Sequence, residues 1–352
     1  NIIFQKTFSA INGLPDDYWL ILYMNKIAIY STHPFEKPYL AYSNKHQFDL
    51  LFIDEPLSID TVKLATGCKG ITVFTSDDVS APVLEALKEL GIEFVATRSA
   101  GFDHIDLNKA KLLGISVANV PAYSPHAIGE HAVAMMLALC RHLVESDKKV
   151  KANDFTIDTL TGFNLHYKTA GIIGTGRIGA VVCKILFGFG CKLLAYDITE
   201  NEMLVSKYGL KYVTLEELCS QSDIISLHTP LNEQTSYMIN KQTIGLMKKG
   251  VMLINTSRGK LIDTAAAISA LQSGQIGYLG LDVYEKEKGI FFHDHSVKGI
   301  TDEALKTLIE MKNVLITSHH AFLTKEALTN IADTTLLNID CFANDKKNLN
   351  EL

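Results

Sequence analysis

Residues Thr169–Asp197 read TAGIIGTGRIGAVVCKILFGFGCKLLAYD. A short apolar run opens the stretch, which turns on Gly174, Gly176 and Gly179 in the spacing G-x-G-x-x-G. It continues as a helical window and closes on a second apolar run ending in Asp197. Three spaced glycines alone say little, but a strand before them, a helix behind and an acid at the end of the next strand supply the context of a dinucleotide-binding turn. The first glycine permits the tight turn, the second lets a pyrophosphate approach the backbone, and the third lets helix and strand pack closely. The helix N-terminus offers free N–H groups and the positive end of its dipole to phosphates. Asp197 is expected to accept hydrogen bonds from ribose hydroxyls and to repel a 2′-phosphate, favouring NAD over NADP. Thr175, Arg177 and Ile178 complete the turn, and Arg177 reads equally as a phosphate contact or a solvated charge.

Around this turn the chain alternates apolar runs with helical windows. Strands are expected at Thr169 to Gly174, Lys192 to Asp197, Asp223 to His228, Val251 to Thr256, Tyr278 to Asp282 and Val314 to Thr317, six in all, as in a doubly wound dinucleotide-binding sheet. Upstream, KIAIYS, FDLLFID, GITVFT, FVATRS and SVANV read as a first parallel α/β series. The two series are joined by one long helix within NVPAYSPHAIGEHAVAMMLALCRHL, with Ser124 as N-cap and Pro125 at its first position. The tail, TKEALTNIADTTLLNIDCFAND, has helical spacing and is expected to return to the first lobe. A length of 352 residues suits two such domains, and two lobes imply a cleft.

With 47% apolar and 20% charged residues the chain can build packed cores, and a net charge of −6 leaves no footprint for nucleic acid. No run approaches the ~20 apolar residues of a membrane-spanning helix. The six cysteines are scattered without a C-x-x-C pair, as for reduced core residues of a cytoplasmic protein. Residues 1–23 lack the basic start and apolar centre of a secretory signal and are set apart as a non-native or weakly ordered extension.

Ligands of such sheets bind beyond the carboxyl ends of the strands. Those ends read SLHTP, NTSRGKLID, GLDVYEKE and SHHAF, and they carry His228, Arg258, Asp282, Glu287 and His319 toward one crevice. The guanidinium fork of Arg258 matches a substrate carboxylate, with a structural ion pair to Asp263 or another acid as the alternative. A histidine is the side chain that exchanges a proton near neutral pH, and Glu287, if it reaches His319, holds it for that task. Glu287 also fits a solvated loop, YEKEKG. In extended chain His319 and His320 point opposite ways, so one cleft uses one of them. His126 and His131 of HAIGEH stand about 140° apart around a helix and cannot chelate one ion, and His293 and His295 read as a surface loop, so no metal site is expected.

These stretches, with RSAGFDHID, NVPAYSPHAIGEHA and NVLITSHHAFLT, resemble the D-2-hydroxyacid dehydrogenases, and most closely the bacterial fermentative D-lactate dehydrogenases, from about Lys26 onward. The resemblance implies a Rossmann-type NAD-binding domain, residues 123–320, inserted into a flavodoxin-like doubly wound substrate domain, residues 24–122 and 321–352. It implies Arg258 as substrate binder and polariser, Glu287 as partner of the acid/base, and His319 as the acid/base. Ala100 and Gly101 then receive the substrate carboxylate through backbone N–H groups, and Tyr123 and Phe322 line the pocket. Cofactor contacts are implied for the glycine turn, Asp197, His228, Thr229, Pro230, Thr256, Ser257 and Asp282. The implied reaction is reversible NADH-dependent reduction of pyruvate to D-lactate in the cytoplasm by a homodimer or homotetramer. A broader 2-keto acid reductase is the alternative, and a non-catalytic NAD(H)-sensing partner protein is the reading from another class. Ser318 departs from the proline frequent before the catalytic histidine in the wider family.

Overall fold

The computed structural model describes residues 26–45 and 47–352, so the extension expected over residues 1–23 lies outside the described residues. The chain forms two units: residues up to Tyr123 together with Thr324–Leu352, and Ser124–Leu323. The crossings thus fall at 123/124 and 323/324, slightly later than the expected 122/123 and 320/321. Both are set by helix caps. Ser124 Oγ accepts from Ala127 N at 3.1 Å and Thr324 Oγ1 from Ala327 N at 3.2 Å, so each new helix starts where the chain changes unit.

In the first unit β1 (Lys26–Ile29), β2 (Asp49–Phe52), β3 (Gly70–Val73), β4 (Phe94–Thr97) and β5 (Ser116–Ala118) form a parallel sheet in the order β2-β1-β3-β4-β5. That is the flavodoxin-like order. Alternation along the strands makes two buried faces. Ala28, Ile71, Val73 and Val95 belong to one core, whereas Ile27, Ile29, Phe94 and Ala96 belong to another closed by Ala332, Leu336 and Ile339 of the helix Lys325–Ala343. Helices formed by residues 26–123 cover only part of the sheet, and the returning helix supplies the missing apolar face.

The second unit carries β6 (Thr169–Ile173), β7 (Lys192–Tyr196), β8 (Lys211–Tyr212), β9 (Ile224–Leu227), β10 (Val251–Asn255), β11 (Ile276–Leu281) and β12 (Val314–Ile316). They pair in parallel as β12-β11-β10-β9-β6-β7-β8, which contains the 3-2-1-4-5-6 order of dinucleotide-binding sheets with β12 added at one edge. The sheet has seven strands where six were expected. The extra one, β8, is two residues long and shows no readable period. Its Tyr212 hydroxyl lies 2.8 Å from Thr175 Oγ1 and accepts from Asn201 N at 2.7 Å.

The capped helix Pro125–Cys140 packs on the helix Arg177–Gly188, where a Cβ on Gly129 would come within 2.8 Å of Val181 Cγ1. It is shorter than the apolar window suggested: His142, at φ +49°, breaks it before the separate helix Leu143–Lys151. All six cysteines are free and buried. Burial pushes the Cys183 thiol up to about 12 and those of Cys191 and Cys219 to about 11, leaving them inert at neutral pH. Among the described residues no single helix is long and apolar enough to cross a membrane.

Candidate active site

In the second unit the strand order reverses between β6 and β9, where the loops after the two strands separate. The glycine turn follows β6. Gly174, at φ +91°, lies so close to the next loop that a Cβ would meet His228 O at 2.6 Å, and a Cβ on Gly179 would collide with Gly174 O. A Cβ on Gly176 meets nothing within 4 Å, so the backbone there borders open space at the N-terminus of the helix Arg177–Gly188. That is the cradle a pyrophosphate requires. Arg177 is exposed beside it and Ile178 is half-buried. Asp197 contributes to the turn itself: Oδ2 accepts from Thr175 N at 2.5 Å and Thr175 Oγ1 at 3.0 Å, and Oδ1 accepts from Thr199 N at 3.1 Å. Partial burial raises the pKa of this carboxyl, but the Thr175 and Thr199 N–H groups outweigh that and hold it below the usual carboxylate range.

The loops after β9 and β10 are tied together, Ser257 Oγ donating to Thr229 O at 2.6 Å, and Pro230 O accepts from Thr235 Oγ1 at 2.7 Å. Ser226 Oγ lies 2.8 Å from His228 Nε2, while His228 Nδ1 and Thr256 Oγ1 are buried and without a hydrogen-bond partner among the described residues. Burial pushes the His228 imidazole down to about 3, so it is neutral at physiological pH. Two orphaned polar atoms beside a glycine cradle and a strand-end acid fit a dinucleotide, whose polar groups would complete them.

The next three loops belong to neighbouring strands, β10, β11 and β12. Arg258 follows β10, half-buried, with Nη1 donating to Ser257 O at 2.9 Å and its carbonyl held by Asn255 Nδ2 at 2.8 Å. Asp263 instead caps the helix Thr264–Ser273, accepting from Ala266 N at 3.0 Å. Glu287, after β11, is held from both sides: Tyr284 N donates to Oε2 at 3.0 Å, and Oε1 lies 2.9 Å from His319 Nδ1. The pair is largely covered, and the Phe292 ring lies 5.9 Å from the imidazole. Glu287 is therefore no free solvated loop residue.

The adjacent histidines separate for a reason other than extended-chain alternation. His319 sits in the left-handed region at φ +53°, an uncommon conformation for a side chain of this size, and its N–H donates to Asp282 O at 2.7 Å. Asp282 fixes this turn. Its fully buried carboxylate accepts from Thr317 Oγ1 at 2.5 Å, His320 N at 3.0 Å and Ala321 N at 3.0 Å, with His131 Nε2 3.5 Å away. Burial raises its pKa, but His131, Thr317, the charge of His319 and Ala321 N bring it down to about 2. His320 packs edge-on against His131, with centroids 4.8 Å apart. Sequence reasoning placed Asp282 among the cofactor contacts; here both of its oxygens accept hydrogen bonds from this chain. It missed the Asp282, Thr317, His131 and His320 cluster, whose members lie far apart in the chain. Phe322 is half-buried just beyond it. Among the described residues no group of three or more His, Cys, Asp or Glu could hold a metal ion.

In the first unit Ala100 and Gly101 form the loop after β4. Just before the loop stands Arg98, fully buried, whose fork grips Glu36 at 2.9 and 3.1 Å and also reaches Thr72 Oγ1 at 2.7 Å and Tyr30 O at 2.8 Å. Tyr123, half-buried, accepts at its carbonyl from Asn330 Nδ2 at 2.6 Å.

Comparison with known proteins agrees with this arrangement. Residues 133–321 match the sequence model of the D-isomer specific 2-hydroxyacid dehydrogenase NAD binding domain. The chain is 45% identical to the D-lactate dehydrogenase of Escherichia coli K12 over 328 residues, 93% of this chain and 99% of that protein. Among solved structures, the pyruvate reductase of Chlamydomonas reinhardtii superposes with a TM-score of 0.86 at 44% identity, covering 93% of this chain and 98% of that one. The D-lactate dehydrogenase of Aquifex aeolicus, solved with NAD and lactic acid, gives 0.82 at 35% identity, with 91% and 96% covered. A doubly wound sheet with an NAD-type glycine turn, a His319–Glu287 pair at its strand ends and whole-length identity of this order lead to one conclusion: the chain belongs to the D-isomer-specific 2-hydroxyacid dehydrogenases, as an NAD-dependent oxidoreductase of the D-lactate dehydrogenase type.

Proposed function

We infer that the enzyme reduces pyruvate to D-lactate with NADH, reversibly, in the cytoplasm. The observation that carries this reading is the 2.9 Å contact between His319 Nδ1 and Glu287 Oε1 at the carboxyl end of the NAD-type sheet. With Nδ1 engaged, Nε2 is the nitrogen left to give a proton to a carbonyl oxygen. Bound NADH supplies the hydride. Arg258 grips and polarises the keto acid through its planar fork, and the N–H groups of Ala100 and Gly101 receive its carboxylate. Tyr123 and Phe322 line the pocket. Gly174, Thr175, Gly176, Arg177, Ile178, Gly179, Asp197, His228, Thr229, Pro230, Thr256, Ser257 and Asp282 contact the cofactor, and Asp282 also holds the His319 turn. Pyruvate is favoured by the names of two similar proteins, a D-lactate dehydrogenase and a pyruvate reductase. The same reading makes the enzyme a homodimer or homotetramer.

Steady-state assays with pyruvate, oxaloacetate, phenylpyruvate and 2-ketoisocaproate test the assignment. Pyruvate should give the highest kcat/KM, and a preference of about tenfold for a bulky keto acid replaces it with the broader reductase. His319→Ala should lose about 100-fold or more in kcat while binding NADH normally. Arg258→Ala should lose both keto acid affinity and rate. NADH binding without turnover of any keto acid would instead support a sensing role.

A further inference from the structure

Three successive carbonyls of the loop after β4 are tied into the first unit. Val120 N donates to Ser99 O at 3.0 Å, Asn119 Nδ2 to Ala100 O at 2.8 Å, and Ser99 Oγ to Gly101 O at 2.7 Å. In a planar trans peptide the carbonyl and the N–H that follows it point in opposite directions. Each tie therefore also aims an N–H group, those of Ala100, Gly101 and Phe102 in turn. The N–H groups of Ala100 and Gly101 find no acceptor among the described residues.

The residue whose side chain sets the middle peptide has its own backbone held by two further asparagines. Asn119 N donates to Asn350 O at 3.2 Å, Asn338 Nδ2 donates to Asn119 O at 2.8 Å, and Asn350 Nδ2 donates to Asn338 Oδ1 at 2.9 Å. The three residues close a ring. Asn338 is fully buried on the packing face of the helix Lys325–Ala343, between Leu336 and Ile339, where an amide is costly unless its bonds are made. Asn350 arrives on a segment that pairs with β5, through the Ala118–Glu351 bridge and a 2.9 Å bond from Leu352 N to Val117 O.

We propose that Asn119, backed by Asn338 and Asn350, is the positioning device that aims the backbone N–H group of Gly101 at the carboxylate of the keto acid, beside the Ala100 N–H that the bond from Val120 N to Ser99 O directs. This deepens the keto acid reductase reading and rests on it. The asparagines act through the peptides they hold and touch no substrate. Their effect therefore falls on binding of the carboxylate in ground and transition states alike, raising KM and leaving kcat nearly unchanged.

The test uses full-length Asn119→Ala, Asn338→Leu, Asn350→Ala and the Asn119→Ala/Asn350→Ala pair. Pyruvate kinetics at saturating NADH are measured beside calorimetric binding of oxamate, a carboxylate-bearing pyruvate mimic, to the enzyme–NADH complex. In Asn119→Ala, KM for pyruvate and Kd for oxamate should both rise about tenfold, with kcat and the NADH Kd within about threefold. Asn350→Ala should show a smaller rise in the same two constants. The pair should be no worse than Asn119→Ala, because Asn350 works through Asn119. Should Asn338→Leu fail to fold, the Asn119 and Asn350 variants carry the test. Unchanged oxamate affinity in a folded Asn119→Ala, or additive losses in the pair, overturns the device while the reductase reading stands. A wild-type enzyme that neither reduces pyruvate nor binds oxamate overturns both.

Discussion

At His228 and Asp282, burial and hydrogen bonding settle opposite contests. Asp282 is fully buried yet keeps its charge, because Thr317 Oγ1 and the N–H groups of His320 and Ala321 converge on it. His228 has one hydroxyl neighbour, and burial leaves its imidazole neutral, with the pKa down at about 3. The consequence for stability has a definite sign. An unfolded histidine titrates near a pKa of about 6.5, so between about 6.5 and 3 the unfolded chain binds a proton that the fold does not. Stability is therefore full above pH 6.5 and falls on acidification. For the cofactor-free enzyme His228 alone should cost about 2 kcal/mol between pH 7 and pH 5. Thermal unfolding at the two pH values checks this: His228→Asn should lose fewer degrees than the wild type, and an equal loss in both would reject the assignment.

The strand β6, the glycine turn and the helix Arg177–Gly188 act as one element in which neighbouring glycines have different tasks. Gly179 is where helix and strand backbones meet, since a Cβ there strikes Gly174 O. Gly176 borders only open space. Gly179→Ala should consequently lower the melting temperature by several degrees and weaken NADH binding, because the helix must shift. Gly176→Ala should melt like the wild type and still bind NADH at least about tenfold more weakly, its methyl group occupying the phosphate cradle. Calorimetry with NADH fluorescence titration separates the two outcomes, and normal NADH affinity in Gly176→Ala would move the pyrophosphate elsewhere. Helix caps work at the same scale. Ser124 and Thr324 each accept from the N–H of the third residue of the helix they begin, fixing where the chain enters and leaves the second unit.

For the whole molecule, self-association is the property most open to experiment. Leu143, Val144, Val150, Phe155 and Ile157 form an exposed apolar series after the helix break at His142, with Phe155 at 72% and Ile157 at 75% exposure. Large exposed apolar groups close in sequence are expected at a contact between copies. Phe155→Asp/Ile157→Asp should shift the protein to a smaller species in size-exclusion chromatography with light scattering, whereas an unchanged mass would place the contact on another surface. Much of the organisation was already present in the order of residues. Short, nearly continuous apolar runs, the glycine turn, the Ser124–Pro125 helix start and the strand-end positions of Arg258, Glu287 and His319 are local signals, set by backbone sterics and hydrophobic patterning within a few residues. Tertiary structure alone decided the rest. The two-residue β8 exists beside the β7 edge, with Tyr212 tied to Thr175 and Asn201. The left-handed turn at His319 exists because Asp282 and Glu287, from the loop after another strand, hold it. The ring of Asn119, Asn338 and Asn350 joins residues more than two hundred positions apart. Such contacts leave no periodic trace, since a hydrogen bond depends on where two groups meet in space and not on their separation along the chain.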